Sequence, residues 1–411
     1  MNKLYVFLTA DIHIIGGMQL YTSGKAEYLL DKGWHVKVLY DGNPKDSYQI
    51  KFLEQYNKGS FSSLTSDPFA MSSNIRNKII DKMMNYIGKE NEYEEIYVES
   101  QSDFTAIWGE LLAKRYNCKH ICFNCNEQFR GKSKIYDKYI DFFKFKFDRN
   151  ELFVLHKDSI NKLFEGYYNI KDSKLYIFDA LEPSPVKDVD SDFVNKLKRE
   201  DYNIGYIGRT TKGYVPNILE SISKFSSKHL DKKIQLIIIG EANEIMDKIE
   251  NAFKNNTNIV LQTPGNMVPI PKLLFSKLDV IIAGAVCAEL SAREGVPTIV
   301  ADCENYLSNG VLGYTTDNSM YPTDDKQEEF IDTLEDVLIT KHYLEKEYSF
   351  PKEPSPNEIY QKHLELFNNT DESKDKYSFE ENKKESFKKS IRANAKALFP
   401  NLYYWFLKKI N

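Results

Sequence analysis

Between residues 202 and 302 the chain repeats one pattern. Five short apolar runs, at residues 202–207, 234–239, 258–261, 278–283 and 296–301, are rich in β-branched side chains, and each gives way to Gly, Pro or a polar loop. Nearly continuous apolar runs of this length, as opposed to alternating ones, belong to parallel strands covered on both faces. Helical patterns fill the intervals, so this half reads as an open α/β sheet whose ligand lies at the carboxyl ends of its strands.

The first run ends in Gly208, with Arg209 and Lys212 close behind and Gly213 after them. A glycine at a strand end lets backbone approach a ligand closely, and the N–H groups that open the next helix attract an anion. Arg209 offers a planar fork and Lys212 a mobile point charge, which together suit a diphosphate.

The amino-terminal half follows a related plan. A strand over residues 4–9 leads through Asp11 and His13 to Gly16 and Gly17, then a helix over 20–32 that stops at Gly33, then a strand over 34–40. This is a βαβ unit. The glycine pair either lets backbone approach a bound molecule or makes a tight turn at positive φ. No G-x-G-x-x-G follows the strand, so the loop is not a dinucleotide fingerprint. The apolar start of the chain is short and soon meets Asp11 and His13, which marks a buried first strand and not a signal peptide.

Residues 43–91 are polar and weakly periodic, with 60–73 the least ordered-looking part; strands are expected over 94–100 and near 118–124, with a helix over 104–114 between them. Cys122 and Cys125 lack a second Cys or His pair at ligand spacing, and on a strand they face opposite sides, so they read as buried or loose thiols. Asn126 and Glu127 follow. Asn126 cannot trade protons, whereas Glu127 serves either as a general base, if burial raises its pKa, or as a solvated loop carboxylate. Over residues 129–148 basic side chains interleave with Tyr and Phe, as in an amphipathic helix with core aromatics or, second, a membrane-facing edge. Strands over 153–157 and 174–179 complete this half.

In order, Gly208-Arg209, Lys212-Gly213, Gly240-Glu241, Pro264-Gly265-Asn266 and Glu294-Gly295-Val296-Pro297 resemble the donor-binding half of GT-B glycosyltransferases, most closely the family 4 type of bacterial surface-polysaccharide synthesis. The Gly16-Gly17 loop is similar to that of the GT-B acceptor domain. The resemblance implies two Rossmann-like domains facing across a cleft: an acceptor domain over 1–182, a linker over 183–200, a donor domain over 201–355, and a crossover helix and tail over 356–411. It implies that Gly208, Arg209, Lys212, Gly240, Glu289 and Glu294 line the donor site and that Gly16, Gly17 and Asn126 lie on the acceptor side, with Glu127 and Glu289 the catalytic candidates; the glycine-spaced loop over 310–318 either lines the donor pocket, Thr315 among its hydroxyls, or is structural. Where resembling enzymes carry His and an acidic residue, this chain has Asn126-Glu127. The glutamate pair of the retaining enzymes also falls out of register, its slots taken by Leu290 and Ile282.

Composition narrows the activity. A chain of 411 residues fits two domains, and a net charge of −5 gives no global pull toward nucleic acid. Five cysteines fit a reducing compartment without a disulfide framework. No apolar stretch is long enough to span a bilayer. The tail sets Lys383, Lys384, Lys388, Lys389, Arg392 and Lys396 before an aromatic cluster flanked by Lys408 and Lys409, which reads either as a membrane-interface segment over 383–409 or as a docked terminal helix. The expectation is a cytoplasmic transferase, peripheral on the inner face of the membrane where the tail is an interface segment, that needs no metal or cofactor and moves a sugar from a UDP- or GDP-sugar to a lipid-linked or growing saccharide. A nucleotide-sugar 2-epimerase and a non-catalytic sugar-nucleotide or glycan-binding scaffold are the alternatives.

Overall fold

The computed structural model describes residues 2–42, 48–124, 134–155, 157–170, 185–240, 246–254, 256–319, 327–350, 355–368, 375–379, 387–403 and 405. In chain order the elements are β1 (Lys3–Thr9), α1 (Gly17–Asp31), β2 (His35–Tyr40), α2 (Ser73–Ile87), β3 (Glu95–Ser100), α3 (Asp103–Tyr116), β4 (Lys119–Asn124), α4 (Lys134–Asp148), β5 (Leu152–Val154) and α5 (Lys157–Phe164). There follow β6 (Val186–Lys187), α6 (Asp192–Lys196), β7 (Tyr202–Ile207), α7 (Val215–Lys228), β8 (Ile234–Ile239), α8 (Met246–Phe253), β9 (Ile259–Gly265), β10 (Ile270–Pro271), β11 (Val280–Ala283), α9 (Val286–Arg293), β12 (Thr298–Ala301), β13 (Ser308–Val311), α10 (Phe330–Glu335), α11 (Pro356–Asn368) and α12 (Phe387–Leu398). The chain divides into two compact units, Met1–Pro183 with Pro354–Asn411, and Ser184–Glu353.

The first unit is built on a five-stranded parallel sheet in the order β2-β1-β3-β4-β5. Its β1 residues Tyr5 and Phe7 pack on one face with Tyr21 and Tyr40, while Leu4, Val6 and Leu8 pack on the other with Trp108 and Leu112. Both faces are covered, which is why β1 reads as an unbroken apolar run. Helix α1 stops where Gly33 takes φ +78°, the left-handed turn that spares a glycine the Cβ clash. Helix α11 belongs to this unit, and its Ile359, Tyr360 and Phe367 join the Tyr5 layer.

Two buried charge networks cross this unit. Lys25 on α1 and Glu99 on β3 meet at 2.6 Å with both side chains fully buried, and the Lys25 ammonium also donates to the hydroxyls of Tyr5 and Tyr21. In the second, Lys146 reaches Glu110 at 2.9 Å and Glu151 at 2.5 Å. His120 donates from Nδ1 to Glu110 at 2.9 Å and faces the Ser100 hydroxyl through Nε2 at 2.7 Å. Tyr139, Phe142, Phe143 and Phe147 of α4 are core residues. The interleaved cations and aromatics therefore divide along the helix, rings into the core and Lys146 into a carboxylate cage.

The second unit carries a six-stranded sheet, β13-β12-β11-β7-β8-β9, parallel except for β13. Residues 308–311 form that antiparallel edge, so Gly310 and Val311, which open the glycine-spaced loop expected over 310–318, are strand residues. Residues 60–73 are also more ordered than their polarity suggests: Trp108 donates to the carbonyls of Ser63 and Ser66, and Pro68–Ala70 form a 3-10 turn capped by Asp67. The strand expected over 174–179 lies outside the described residues.

The terminal helix α12 docks on the first unit. Ala393 is buried, Lys396 pairs with Asp41 at 2.8 Å, and Asn394 accepts from the Ser72 N–H. Its Ile391 and Leu398, with Phe399, Leu402 and Trp405 beyond it, are about half exposed. Among the described residues no helix is long and apolar enough to cross a membrane.

Burial, reinforced by the nearby Lys146 charge, pushes the His120 imidazole down to about 4 from its ordinary 6.5. Burial alone would raise the Glu110 carboxyl, but Lys146 and the hydrogen bond from His120 outweigh it and hold Glu110 well below the usual range. The unfolded chain thus binds protons that the folded chain refuses, and the stabilisation present above pH 6.5 is lost as pH falls toward 4. At pH 5 the His120 part alone amounts to about 2 kcal/mol. Urea unfolding at pH 7 and pH 5 should show a larger loss for the native chain than for His120→Gln; equal losses would remove His120 as the source.

Candidate functional site

In the second unit β7 is flanked by β11 and β8, and the chain departs from it in opposite directions across the sheet. The gap between the β7 and β11 loops is therefore the topological switch point, the place where open α/β sheets hold ligands. Its first wall is the loop after β7. Gly208 donates to the Ile239 carbonyl at 3.0 Å, and Gly240 donates to that of Gly265 at 3.1 Å. These two turns touch: a Cβ on Gly240 would stand 2.0 Å from the Gly208 carbonyl oxygen.

Beyond Gly208 the Arg209 side chain is exposed and Lys212 half-buried. The Tyr206 hydroxyl donates to the Arg209 carbonyl at 2.9 Å, and Lys212 N–H closes a turn onto the same carbonyl at 3.3 Å. Both cations thus project from one braced turn at the entry to α7. The N-cap residue Tyr214 makes no side-chain cap, but Val215 N–H donates to the Lys212 carbonyl at 3.1 Å and Pro216 has no N–H, so this helix end attracts an anion through its dipole more than through free N–H groups.

The second wall is the loop after β11. Ala285 opens α9 at φ +54°, ψ −136°, a backbone region that favours glycine and carries strain for alanine. Its N–H donates to the Ser319 carbonyl at 2.7 Å. The Ser319 hydroxyl donates to Glu289 at 2.8 Å, and Arg293 approaches the other Glu289 oxygen at 3.4 Å. Glu289 is thereby held in the first turn of α9, at the switch-point edge. Asp302 ends β12 at the same edge. One of its oxygens accepts from the N–H groups of Glu304 and Asn305, both at 2.7 Å, while the other is buried without a hydrogen-bond partner among the described residues.

Two expected donor-site residues lie elsewhere. Glu294 is at the far end of α9, just before β12 begins, hence at the amino edge of the sheet. Thr315 follows β13, which runs antiparallel to β12 and carries the chain back to that same amino edge, where Leu312 donates to the Thr298 carbonyl. The Thr315 hydroxyl accepts from Val311 N–H at 2.8 Å and closes the turn. Gly208, Arg209, Lys212, Gly240 and Glu289 are brought together; Glu294 and Thr315 are not.

In the first unit, Gly16 precedes α1 in extended conformation at φ −170°, and neither it nor Gly17 is among the positive-φ glycines, so the tight-turn reading at positive φ does not hold. Gly16 offers its carbonyl to the N–H groups of Gln19 and Leu20, both at 3.0 Å. Beside it, His13 was read from sequence only as the end of an apolar run. Its ring is buried, its Nδ1 lies 2.6 Å from Asp11, and it stacks on Tyr48. The spacing Asp-x-His directly after a first parallel strand was the available signal. Asn126, Glu127 and Cys125 lie outside the described residues, and Cys122 is a buried thiol that burial pushes up to about 12. Among the described residues no group of three or more His, Cys, Asp or Glu is placed to hold a metal ion.

No protein-family model matches the chain. No curated protein matches it either. Solved structures do. Alr3699/HepE from Anabaena, in complex with UDP, is 12% identical over 90% of this chain and 100% of that chain, with a TM-score of 0.57. The same protein in complex with UDP and glucose is 10% identical over 90% of this chain and 95% of that chain, at 0.56. The UDP-GlcNAc 2-epimerase from Methanocaldococcus jannaschii is 15% identical over 89% of this chain and 99% of that chain, at 0.50. At such identities the likeness establishes the fold, two Rossmann-like α/β units of GT-B type, and leaves function to the site.

The contact between the two glycine turns is a direct target. Gly240→Ala forces the Gly208 backbone to move and should cost about 2 kcal/mol or more in denaturant unfolding; unchanged stability would show that the loops do not abut.

Proposed function

We propose that this chain is a glycosyltransferase that uses a nucleoside diphosphate sugar, with the diphosphate held by the second unit. The observation that carries the reading is the braced turn after β7, which presents Arg209 and Lys212 beside the start of α7 at the switch point. In sugar transfer the bond from the anomeric carbon to the phosphate oxygen breaks, and its electron pair stays on the diphosphate. Two cations and a helix N-terminus placed where that charge develops lower the barrier. They neutralise the leaving group without a metal ion. Glu289, oriented by Ser319 and Arg293, is suited to accept hydrogen bonds from sugar hydroxyls. The resemblance to folds solved with UDP supports UDP as the first nucleotide to try.

The acceptor in this reading is a lipid-linked or growing saccharide at a membrane surface. Support comes from the tail, where the half-exposed Ile391, Leu398, Phe399, Leu402 and Trp405 share a segment with eight basic residues and one acidic residue between Lys383 and Lys409. Apolar side chains beside cations suit an anionic lipid interface.

Thermal shift with UDP, GDP and their sugars should show a nucleotide that raises the melting point of the native chain. Arg209→Ala should retain the unliganded melting point, because the side chain is exposed, and weaken that nucleotide by about ten- to a hundredfold, the loss of a charge-assisted contact. Absence of any nucleotide effect, or equal affinity in the variant, would overturn the site. With a lipid-linked acceptor present, mass spectrometry of the products separates transfer from epimerisation, and binding without turnover favours the scaffold. In a separate measurement, the native chain should co-sediment with phosphatidylglycerol vesicles and not with phosphatidylcholine vesicles, and Leu402→Ser with Trp405→Ser should lose the association. Equal sedimentation of the double variant would remove the tail as the contact.

A further inference from the structure

We propose that the hydroxyls of Tyr206 and Tyr214 form a buried strut between the two walls of the switch point in the second unit, and that this strut sets how tightly Arg209 and Lys212 hold a diphosphate. Both tyrosines are positioning residues, buried beneath the turn and acting through it. The diphosphate rests on the transfer reading above; the strut rests on three observations within this unit.

The first is a choice of side chain. Tyr206 on β7 and Tyr214, the residue before α7, are 2% and 4% exposed and share one core with Ile204, Val215 and Ile218. Packing alone would be met by phenylalanine. A buried phenol belongs where its hydroxyl finds a polar partner, since an unpaired one is costly.

The second is where the two hydroxyls lead. That of Tyr206 donates to the Arg209 carbonyl at 2.9 Å and shares a hydrogen bond with that of Tyr214. Burial first, and then Tyr214, holds the Tyr206 phenol well above its ordinary 10, so it keeps the proton it donates. On its other side Tyr214 abuts the second wall. A Cβ on Gly284, in the loop after β11, would stand 3.0 Å from the Tyr214 hydroxyl oxygen and 3.0 Å from the Ala301 carbonyl oxygen at the end of β12. The two hydroxyls therefore join the cation-bearing turn to the loop that opens the Glu289 helix.

The third is how closely the backbone around the cations is enclosed. Lys212 N–H reaches the same Arg209 carbonyl at 3.3 Å, a long bond that the Tyr206 hydroxyl reinforces from below. A Cβ on Gly213 would stand 2.5 Å from the Tyr306 hydroxyl, so Tyr306 closes on the backbone between Lys212 and Tyr214, and the Asn217 amide donates to the Tyr306 carbonyl at 3.1 Å. Arg209 and Lys212 are long side chains that gain from a fixed base, because a rigid turn removes ordering cost that binding would otherwise meet. The strut thus acts on the diphosphate, which the cations hold, and leaves the nucleoside alone.

Calorimetric titration of the full chain with UDP, inorganic pyrophosphate and uridine provides the test. Tyr206→Phe and Tyr214→Phe each remove one oxygen and keep the ring. Each should weaken UDP and pyrophosphate about five- to tenfold, the share of one hydrogen bond, and leave uridine as in the native chain. The double variant should bind no more weakly than Tyr206→Phe, because either change breaks the same strut. Native affinity for both diphosphates in both variants, an equal loss for uridine, or losses that add in the double variant overturns the proposal. If Tyr206→Phe fails to fold, Tyr214→Phe decides by the comparison of pyrophosphate with uridine. A native chain that binds neither UDP nor pyrophosphate fails the donor reading itself and the strut with it, whereas native binding with unaffected variants fails the strut alone.

Discussion

The candidate donor site depends on the absence of one carbon atom. At Gly240 a Cβ would fall 2.0 Å from the Gly208 carbonyl, so the loops after the two neighbouring strands β7 and β8 close on each other only because Gly240 has no side chain at the point of contact. That closure fixes where the chain turns away from β7. The Tyr206 hydroxyl then braces the next carbonyl, and Arg209 and Lys212 leave the backbone from a shape set beneath them. The cations supply charge, and the glycines supply its position.

The opposite wall shows the same division between support and chemistry. Ala285 bears a backbone conformation costly for alanine, and the neighbouring contact with Ser319 holds both its N–H and the Glu289 carboxylate. Strain of this kind persists where surrounding structure over-determines it, and such positions gather at ligand sites. The first unit uses buried charge in the corresponding supporting role. Lys25 with Glu99 ties α1 to β3, and Lys146 with Glu110 and Glu151 ties α4 to α3 and to the residue before β5, through pairs that are complete only in one arrangement. A buried pair of this kind adds little net stability over an apolar substitute, but losing one partner leaves an uncompensated charge.

Much of the plan was legible from residues alone. The five runs between 202 and 302 became β7, β8, β9, β11 and β12, because an apolar run covered on both faces leaves its mark in consecutive residues. The cations after β7 were legible for the same local reason. Less legible was the helix over 134–148, whose cations and rings suit an interface equally well until the fold shows Phe142 and Phe143 in the core and Lys146 among carboxylates. His13 was passed over because its partner Asp11 gains meaning only once the loop is seen folded upon itself.

The strands of the second unit, the helices between them and the turn at Gly208 with its two cations are written in the periodicity and chemistry of neighbouring residues. Which edge of the sheet a side chain reaches was decided only by tertiary structure. Glu289 and Glu294 are five positions apart, yet the helix between them carries one to the carboxyl edge and the other to the amino edge. Thr315 is taken away from the site by a strand that runs backward. Strand direction and order arise from pairings between distant segments, and no local pattern records them.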